Sequence, residues 1–172
     1  MLFSISELRK VQSGDVLLKE GDVNSNVHLV LSGLLRSYVI NSSGDEKTVL
    51  ISKENMRAAS LNSFLHKRPS EITIEAIEPS TILIINSNLF QQAIISNENL
   101  ALLEKQGMRS YLIDATERLH LLTVLSPEER FIRFRDEHPD LIQRVPQMYL
   151  ASYLGVTTVS LSRIKSRIAK QG

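Results

Sequence analysis

Cysteine is absent from this sequence, which excludes disulfides, thiolate zinc sites and cysteine-ligated iron–sulfur clusters. Long apolar runs are absent too, none approaching the roughly 20 residues of a membrane span. The opening stretch "MLFSISELRK" turns polar and charged too early for a secretory signal peptide. A soluble, cytoplasmic protein without a membrane partner is the expectation. Catalytic signatures are missing as well: there is no glycine-rich phosphate loop and no G-x-S-x-G elbow. A cupin-type metal site needs clustered histidines and a carboxylate. Here His28, His66, His120 and His138 are scattered, with no His-x-His pair. No enzyme, no metal and no cofactor are therefore expected, and a cupin-like metalloenzyme is the weak alternative.

Negative charge is what the C-terminal end lacks. From residue 144 onward the sequence holds Arg144, Arg163, Lys165, Arg167 and Lys170 and neither Asp nor Glu. That segment carries +5 in a chain of net charge +1, so the remainder carries −4. A basic end on a slightly acidic protein suits a polyanion partner, although charge alone does not separate this from a solvated helix face.

The 172 residues, 42% hydrophobic and 23% charged, suit one globular domain or a medium domain with a small one. Gly14, Gly21, Gly33 and Gly44 punctuate short β-rich runs, "DVLL", "NVHLVL", "LLRSYVI" and "KTVLI". Turn signals at that spacing predict an antiparallel roll or barrel over roughly residues 1–86. "SGDEK" reads as a tight hairpin turn, and "EITIEA" alternates with Ile72, Ile74 and Ala76 on one face. "TILIIN" is continuous enough to be buried on both sides.

The period then changes to a helical one. "NSNLFQQAIIS" predicts a short helix with Phe90, Ala93 and Ile94 on one face. A much longer helix follows, in which Met108, Leu112, Ala115, Leu119 and Leu122 are spaced 4, 3, 4, 3. That stripe suits either packing on the β-unit or pairing with a symmetry mate. About three heptads interrupted by Gly107 lean periodicity towards the first. "SPEERFIRFRDEHP" predicts a helix capped by Ser126, with Pro127 in its first turn, Glu129 closing a capping box, and an end before Pro139.

The last stretch, "QMYLASYLGVTTVSLSRIKSRI", reads as a helix-turn-helix. Counting from Gln147, Ala151 takes the fifth place, where crossing helices leave little room. Gly155 takes the ninth, where the turn needs a left-handed backbone. Leu150, Leu154, Val156, Leu161 and Ile164 fill buried positions, and Thr157 can cap the second helix. With Leu161, Ile164 and Ile168 inward, Thr158, Val159, Ser162, Arg163 and Ser166 point outward near the helix start, the part that reaches base edges. Arg163 is the candidate guanine reader and Val159 can touch a thymine methyl, while Lys165, Arg167 and Lys170 suit phosphates. The competing readings are a generic helical hairpin with a glycine C-cap and solvated lysines, and a ligand-sensing module whose helix-turn-helix contacts protein only.

The order of roll, long helix and helix-turn-helix resembles the Crp/Fnr family of bacterial transcription regulators, over almost the whole chain. "LLKEGDVNSNVHLVLSGLLRSYVI" and "SFLHKRPSEITIEAIEPSTILII" are similar to the two halves of that family's cyclic-nucleotide-binding roll. "ERLHLLTVLSPEERFIRF" and "RVPQMYLASYLGVTTVSLSRIKSRI" resemble its hinge and DNA-binding parts. The resemblance implies an α+β chain: an antiparallel β-roll over 1–96, a dimerisation helix over 97–125 and a DNA-binding domain over 126–172. It also implies a homodimer on palindromic double-stranded DNA, with RNA polymerase as a further partner, and it moves the 108–122 stripe to the dimer interface.

The departures concern the effector and the DNA-reading helix. Nucleotide-binding members hold the sugar–phosphate with a Gly-Glu-Leu turn and an Arg followed by a small residue. The corresponding positions here look like Ala59-Ser60-Leu61 and Ser70-Glu71. Where members offer hydroxyls to the base, this chain has Leu112 and Ile113. An anion at this degenerate pocket would lose its arginine and meet a carboxylate. Arg57, Lys67 and Arg68 nearby read as solvated surface charges. Cyclic AMP is therefore not expected to bind, and the effector is unknown. The sequence stops just after the reading helix, without room for the family's usual β-hairpin wing, and that helix opens with Thr158-Val159 where many relatives have Pro-Glu or Arg-Glu.

Overall fold

In the computed structural model, which describes residues 5–170, the glycine-punctuated first half folds into antiparallel strands. They are β1 (Ser6–Val11), β2 (Val16–Leu18), β3 (Val27–Ser32), β4 (Leu35–Ile40), β5 (Glu46–Ser52), β6 (Arg57–Ala58), β7 (Thr73–Ala76) and β8 (Ser80–Ile85). Two four-stranded sheets result, ordered β1-β8-β3-β6 and β2-β7-β4-β5, a double-sheet jelly roll. Helix α1 (Leu61–His66) interrupts the strands, and α2 (Ser87–Ile95) and α3 (Glu98–Val124) follow them. The chain divides into two compact units between Leu100 and Ala101.

The core of the first unit lies between the sheets. Val11, Leu18, Val30, Leu35, Ile74, Ala76, Ile82 and Ile84 meet there, with Leu17 and Ile72 packed at its edge. Strand β8 carries the double burial expected of "TILII": Ile82 and Ile84 face this core, while Leu83 and Ile85 join Phe90, Ala93 and Leu100 in a second cluster. Burying an isoleucine or leucine in this way stabilises the fold by about 2 kcal/mol per side chain. Helix α2 is fixed at its start by Asn86, whose side-chain oxygen accepts from the backbone N–H of Asn88 and Leu89. The hairpin turn forms as expected, with Asn41 Oδ1 accepting from the backbone N–H of Ser43 and Asp45. Gly33 stands where no side chain fits: a Cβ there would lie 2.1 Å from Ser80 Oγ.

Three elements differ from the sequence expectation. Strand β1, "SELRKV", is an exposed edge strand whose polar residues give no alternation, so periodicity does not reveal it. Helix α1 forms inside the span read only as an antiparallel roll, where Ser60 caps it by accepting from the N–H of Ser63. A four-residue helix, α5 (Leu141–Arg144), lies between Pro139 and Pro146, a stretch for which the sequence reading predicts no element.

Arg36 and His28 are buried deep in the roll. Arg36 on β4 is buried but bonded through Nη2 to Glu46 Oε2 at 2.6 Å and to Glu75 Oε2 at 2.9 Å, with its guanidinium 4.1 Å above the Tyr38 ring. Arg36 and Glu75 are direct register partners, so the pair comes from the β4–β7 ladder itself. His28 is 1% exposed, and its Nδ1 lies 3.2 Å from the Ala58 carbonyl. A carbonyl only accepts, so Nδ1 carries the proton.

Burial lowers the His28 pKa to about 4; the Ala58 carbonyl raises it, and the nearby Arg9 charge lowers it further. Between that value and the ordinary 6.5 the unfolded chain binds the proton that the native imidazole refuses. Stability is therefore full above the ordinary value and is lost as pH falls towards the native one. From pH 7.5 to pH 5 this group is expected to remove about 2 kcal/mol. Urea unfolding at both pH values tests it, since His28→Gln should lack that part of the slope; an equal slope in both proteins would place the acid sensitivity elsewhere.

The second unit holds the C-terminal part of α3 with α4 (Pro127–Glu137), α5, α6 (Gln147–Tyr153) and α7 (Thr158–Ala169). Helix α4 has the expected capping box: Ser126 Oγ accepts from Glu129 N–H, and the Glu129 carboxylate accepts from Ser126 N–H at 2.8 Å. The buried apolar side chains of the second unit include Leu121, Phe131, Phe134, Leu141, Val145, Leu150, Ala151, Leu154, Leu161 and Ile164.

Candidate nucleic-acid interface

The candidate interface is built on α7, and the turn before it determines how α7 leaves α6. Gly155 has φ +69°, and a Cβ there would come within 3.0 Å of Arg130 Nη1 and 3.3 Å of Leu122 Cδ2. Any other residue would be strained by its backbone and crowded by both neighbours. Arg130 donates from Nη1 to the Leu154 carbonyl (2.9 Å), from Nε to Leu125 (2.9 Å) and from Nη2 to Leu122 (3.2 Å). It thereby satisfies carbonyls at the ends of both α3 and α6. Arg118 lies over the Tyr153 ring, 3.8 Å from its centre, and donates to the Tyr153 carbonyl. Thr157 caps α7, its Oγ1 accepting from Ser160 N–H at 3.1 Å.

With Leu161 and Ile164 buried, Thr158, Val159, Ser162, Arg163 and Ser166 are exposed together on one face of α7. Val156 and Ile168, expected inside, are half-buried. Gln147 is exposed at the start of α6 and reaches the Thr158 carbonyl at 3.5 Å. Ser162, Arg163, Ser166, Arg167 and Lys170 line a shallow open hollow.

The basic residues expected over phosphates are not equivalent. Lys170 stands in that hollow, at the C-cap of α7. Lys165 does not stand outward: it is half-buried, with its ammonium 5.8 Å from the centre of the Phe131 ring. It follows Ile164 on the flank of the buried stripe, so its aliphatic stem packs towards α4. Arg167 is held through Nη1 by Glu128 Oε2 at 2.7 Å. Sequence reasoning singled out none of Glu128, Arg118 and Arg130 for the site, since their contacts cross between helices and leave no periodic signal.

The stripe on α3 is open along its length. Leu112 and Leu119 are 67% and 63% exposed, and Met108, Ala115 and Leu122 are exposed with them. Helix α3 runs unbroken through Gly107.

In the roll, the residues expected to form a degenerate effector pocket make hydrogen bonds within the protein. Ser60 is buried and donates to Glu71 Oε2 at 2.9 Å while capping α1. Ser70 is buried as well; its Oγ donates to the Ile72 carbonyl at 2.7 Å, and its N–H donates to the Asp22 carbonyl. Ala59 and Leu61 are half-buried, and Glu71 is exposed beside them. Lys67 turns its ammonium to Ser87 Oγ at 3.1 Å. Leu112 and Ile113 lie exposed on α3. Among the described residues no cluster of three or more metal-ligating side chains forms, and no helix is long and apolar enough to cross a membrane.

Residues 8–97 match the family model of the cyclic nucleotide-binding domain. The chain is 26% identical over 112 residues to the anaerobic regulatory protein of Bacillus subtilis, covering 65% of this chain and 47% of that protein. It is 23% identical to electron transport regulator A of Shewanella oneidensis, across 98% of this chain and 71% of that one. The chain therefore spans about half the length of the first relative. Its fold is similar to that of FixK2 from Bradyrhizobium japonicum, with a TM-score of 0.84 and 19% identity over 98% of this chain and 86% of that structure.

Proposed function

We propose that this chain, which belongs to the cyclic nucleotide-binding domain family, is a homodimeric transcription regulator that reads palindromic double-stranded DNA and does not need cyclic AMP. Its fold is shared with regulators of the Crp/Fnr family. In this reading residues 1–96 are a sensor-like roll, 97–125 the dimerisation helix and 126–172 the DNA-binding domain.

The observation that carries the reading is the outward face of α7, where Thr158, Val159, Ser162, Arg163 and Ser166 are exposed together at the capped start of the helix. Such a face presents hydroxyls, a methyl-bearing side chain and a guanidinium to base edges in the major groove. Two copies related by a two-fold axis would read two half-sites about one helical turn apart. RNA polymerase is the further partner this role implies. Independence of cyclic AMP is supported by the Ser60–Glu71 hydrogen bond, which engages residues at the positions the resemblance gives to the ribose and phosphate contacts and keeps a carboxylate beside them.

The test is selection from random duplex DNA by the purified protein without added ligand, followed by calorimetry with cyclic AMP. A palindromic consensus and no micromolar heat of binding are expected. Failure to retain DNA in a salt-dependent manner would favour a helix-turn-helix that contacts protein only. Micromolar binding of cyclic AMP would overturn this independence and point to Arg57 or Arg68 as substitute partners.

A further inference from the structure

We propose that Glu128 acts as an internal competitor of DNA for Arg167 and so sets how tightly this surface holds any DNA. The inference rests on the DNA-binding reading of α7 and adds a residue outside α7 that tunes it.

Arg167 lines the same hollow as Arg163 and Lys170, and its side chain is 61% exposed. Its guanidinium is already engaged, with Nη1 2.7 Å from Glu128 Oε2. No described carboxylate pairs with Arg163 or Lys170, so the three cations of the hollow are not alike. Glu128 is well placed to hold its position. It lies in the first turn of α4, where the helix N-terminus favours a negative charge, and its side chain is only 29% exposed. Helix α4 is fixed in turn by the Ser126–Glu129 capping box and by the contacts of Arg130.

A phosphate reaching Arg167 must therefore displace or share the carboxylate, and it leaves Glu128 unpaired in the negative field of the duplex. A cation already neutralised by its own chain also releases fewer counterions when DNA arrives, so it adds less to both affinity and salt dependence. Because phosphates carry no sequence information, the competition should act on operator and random DNA equally. Glu128 is a positioning residue in this account, acting only through Arg167.

The experiment is fluorescence anisotropy of the full chain on a selected operator and on scrambled duplex DNA, each across a salt series, for four proteins: the native chain, Glu128→Gln, Arg167→Ala and the double variant. Glu128→Gln is expected to bind both DNAs more tightly, by roughly 3–10-fold per half-site, with a salt slope steeper by about 0.9 for each Arg167 released to a phosphate. In the Arg167→Ala background the same change should have much less effect. Circular dichroism of each variant checks that the helices persist. Unchanged affinity and slope, weaker binding by Glu128→Gln, or an equal gain with and without Arg167 would each overturn the proposal while the DNA reading stands. If the native chain retains no DNA, the DNA reading fails and this inference falls with it.

Discussion

Replacing both Leu112 and Leu119 with glutamate is expected to leave the chain monomeric at concentrations where the native protein sediments as a dimer. Binding to a palindromic site should be lost with it. The two leucines are among the most exposed large apolar side chains of α3 and share a stripe with Met108, Ala115 and Leu122. An apolar stripe at that spacing is stable in water when another surface covers it. Covering a leucine stabilises by about 1.5–3 kcal/mol, so the four leucines of a symmetric pair would contribute roughly 6–12 kcal/mol towards offsetting the cost of association. Glutamates there lose that burial, and a two-fold axis brings like charges together. A monomer would then meet one half-site at a time and forfeit the gain from linking two binding events. Sedimentation velocity decides the matter: identical profiles for both proteins would mean that the stripe does not form the dimer interface.

What the sequence reveals depends on how local the cause is. The α4 cap is legible because Ser126, Pro127 and Glu129 act within one turn. Strand β8 is legible because its apolar run leaves no polar face, and the structure gives each of its two faces a different apolar neighbourhood. The turn at Gly155 is legible because its neighbours Ala151, Leu154 and Leu161 fall at fixed offsets from it. Strand β1 is not legible, since an edge strand with Glu7, Arg9 and Lys10 exposed to water lacks any apolar alternation.

The candidate site was legible in outline and not in its electrostatics. Helical periodicity alone separates the outward Thr158, Val159, Ser162, Arg163 and Ser166 from the buried Leu161 and Ile164. It says nothing about which cations of α7 are free. Glu128 lies 39 positions before Arg167 and Phe131 lies in α4, so both contacts follow from how α4 packs beside α7. The Ser60–Glu71 bond is similar: its partners lie 11 positions apart and meet only once α1 has formed and been capped. Arg36 reads as one charged residue in a β-rich run, and the register of β4 with β7 supplies its carboxylate.

Arg163→Ala should separate base reading from simple attraction to phosphate more sharply than any other single change on α7. Arg163 is exposed within the first two turns of the helix, beside Ser162. From there a guanidinium can donate two hydrogen bonds to a guanine edge, and losing them costs roughly 1–3 kcal/mol per half-site. A dimer reading two half-sites should thus lose about 2–6 kcal/mol on its operator, with relaxed preference at one base position in each half. Lys170→Ala is the contrast. Lys170 ends the helix at its C-cap, so its loss should weaken operator and scrambled DNA alike and lower the salt slope by about 0.9 per lost phosphate contact. Anisotropy titrations of both variants on both DNAs across a salt series distinguish the roles. An equal loss on the two DNAs for Arg163→Ala would make Arg163 a phosphate clamp. Sequence preference would then have to come from Thr158, Val159 and Ser162, or from the shape of the duplex.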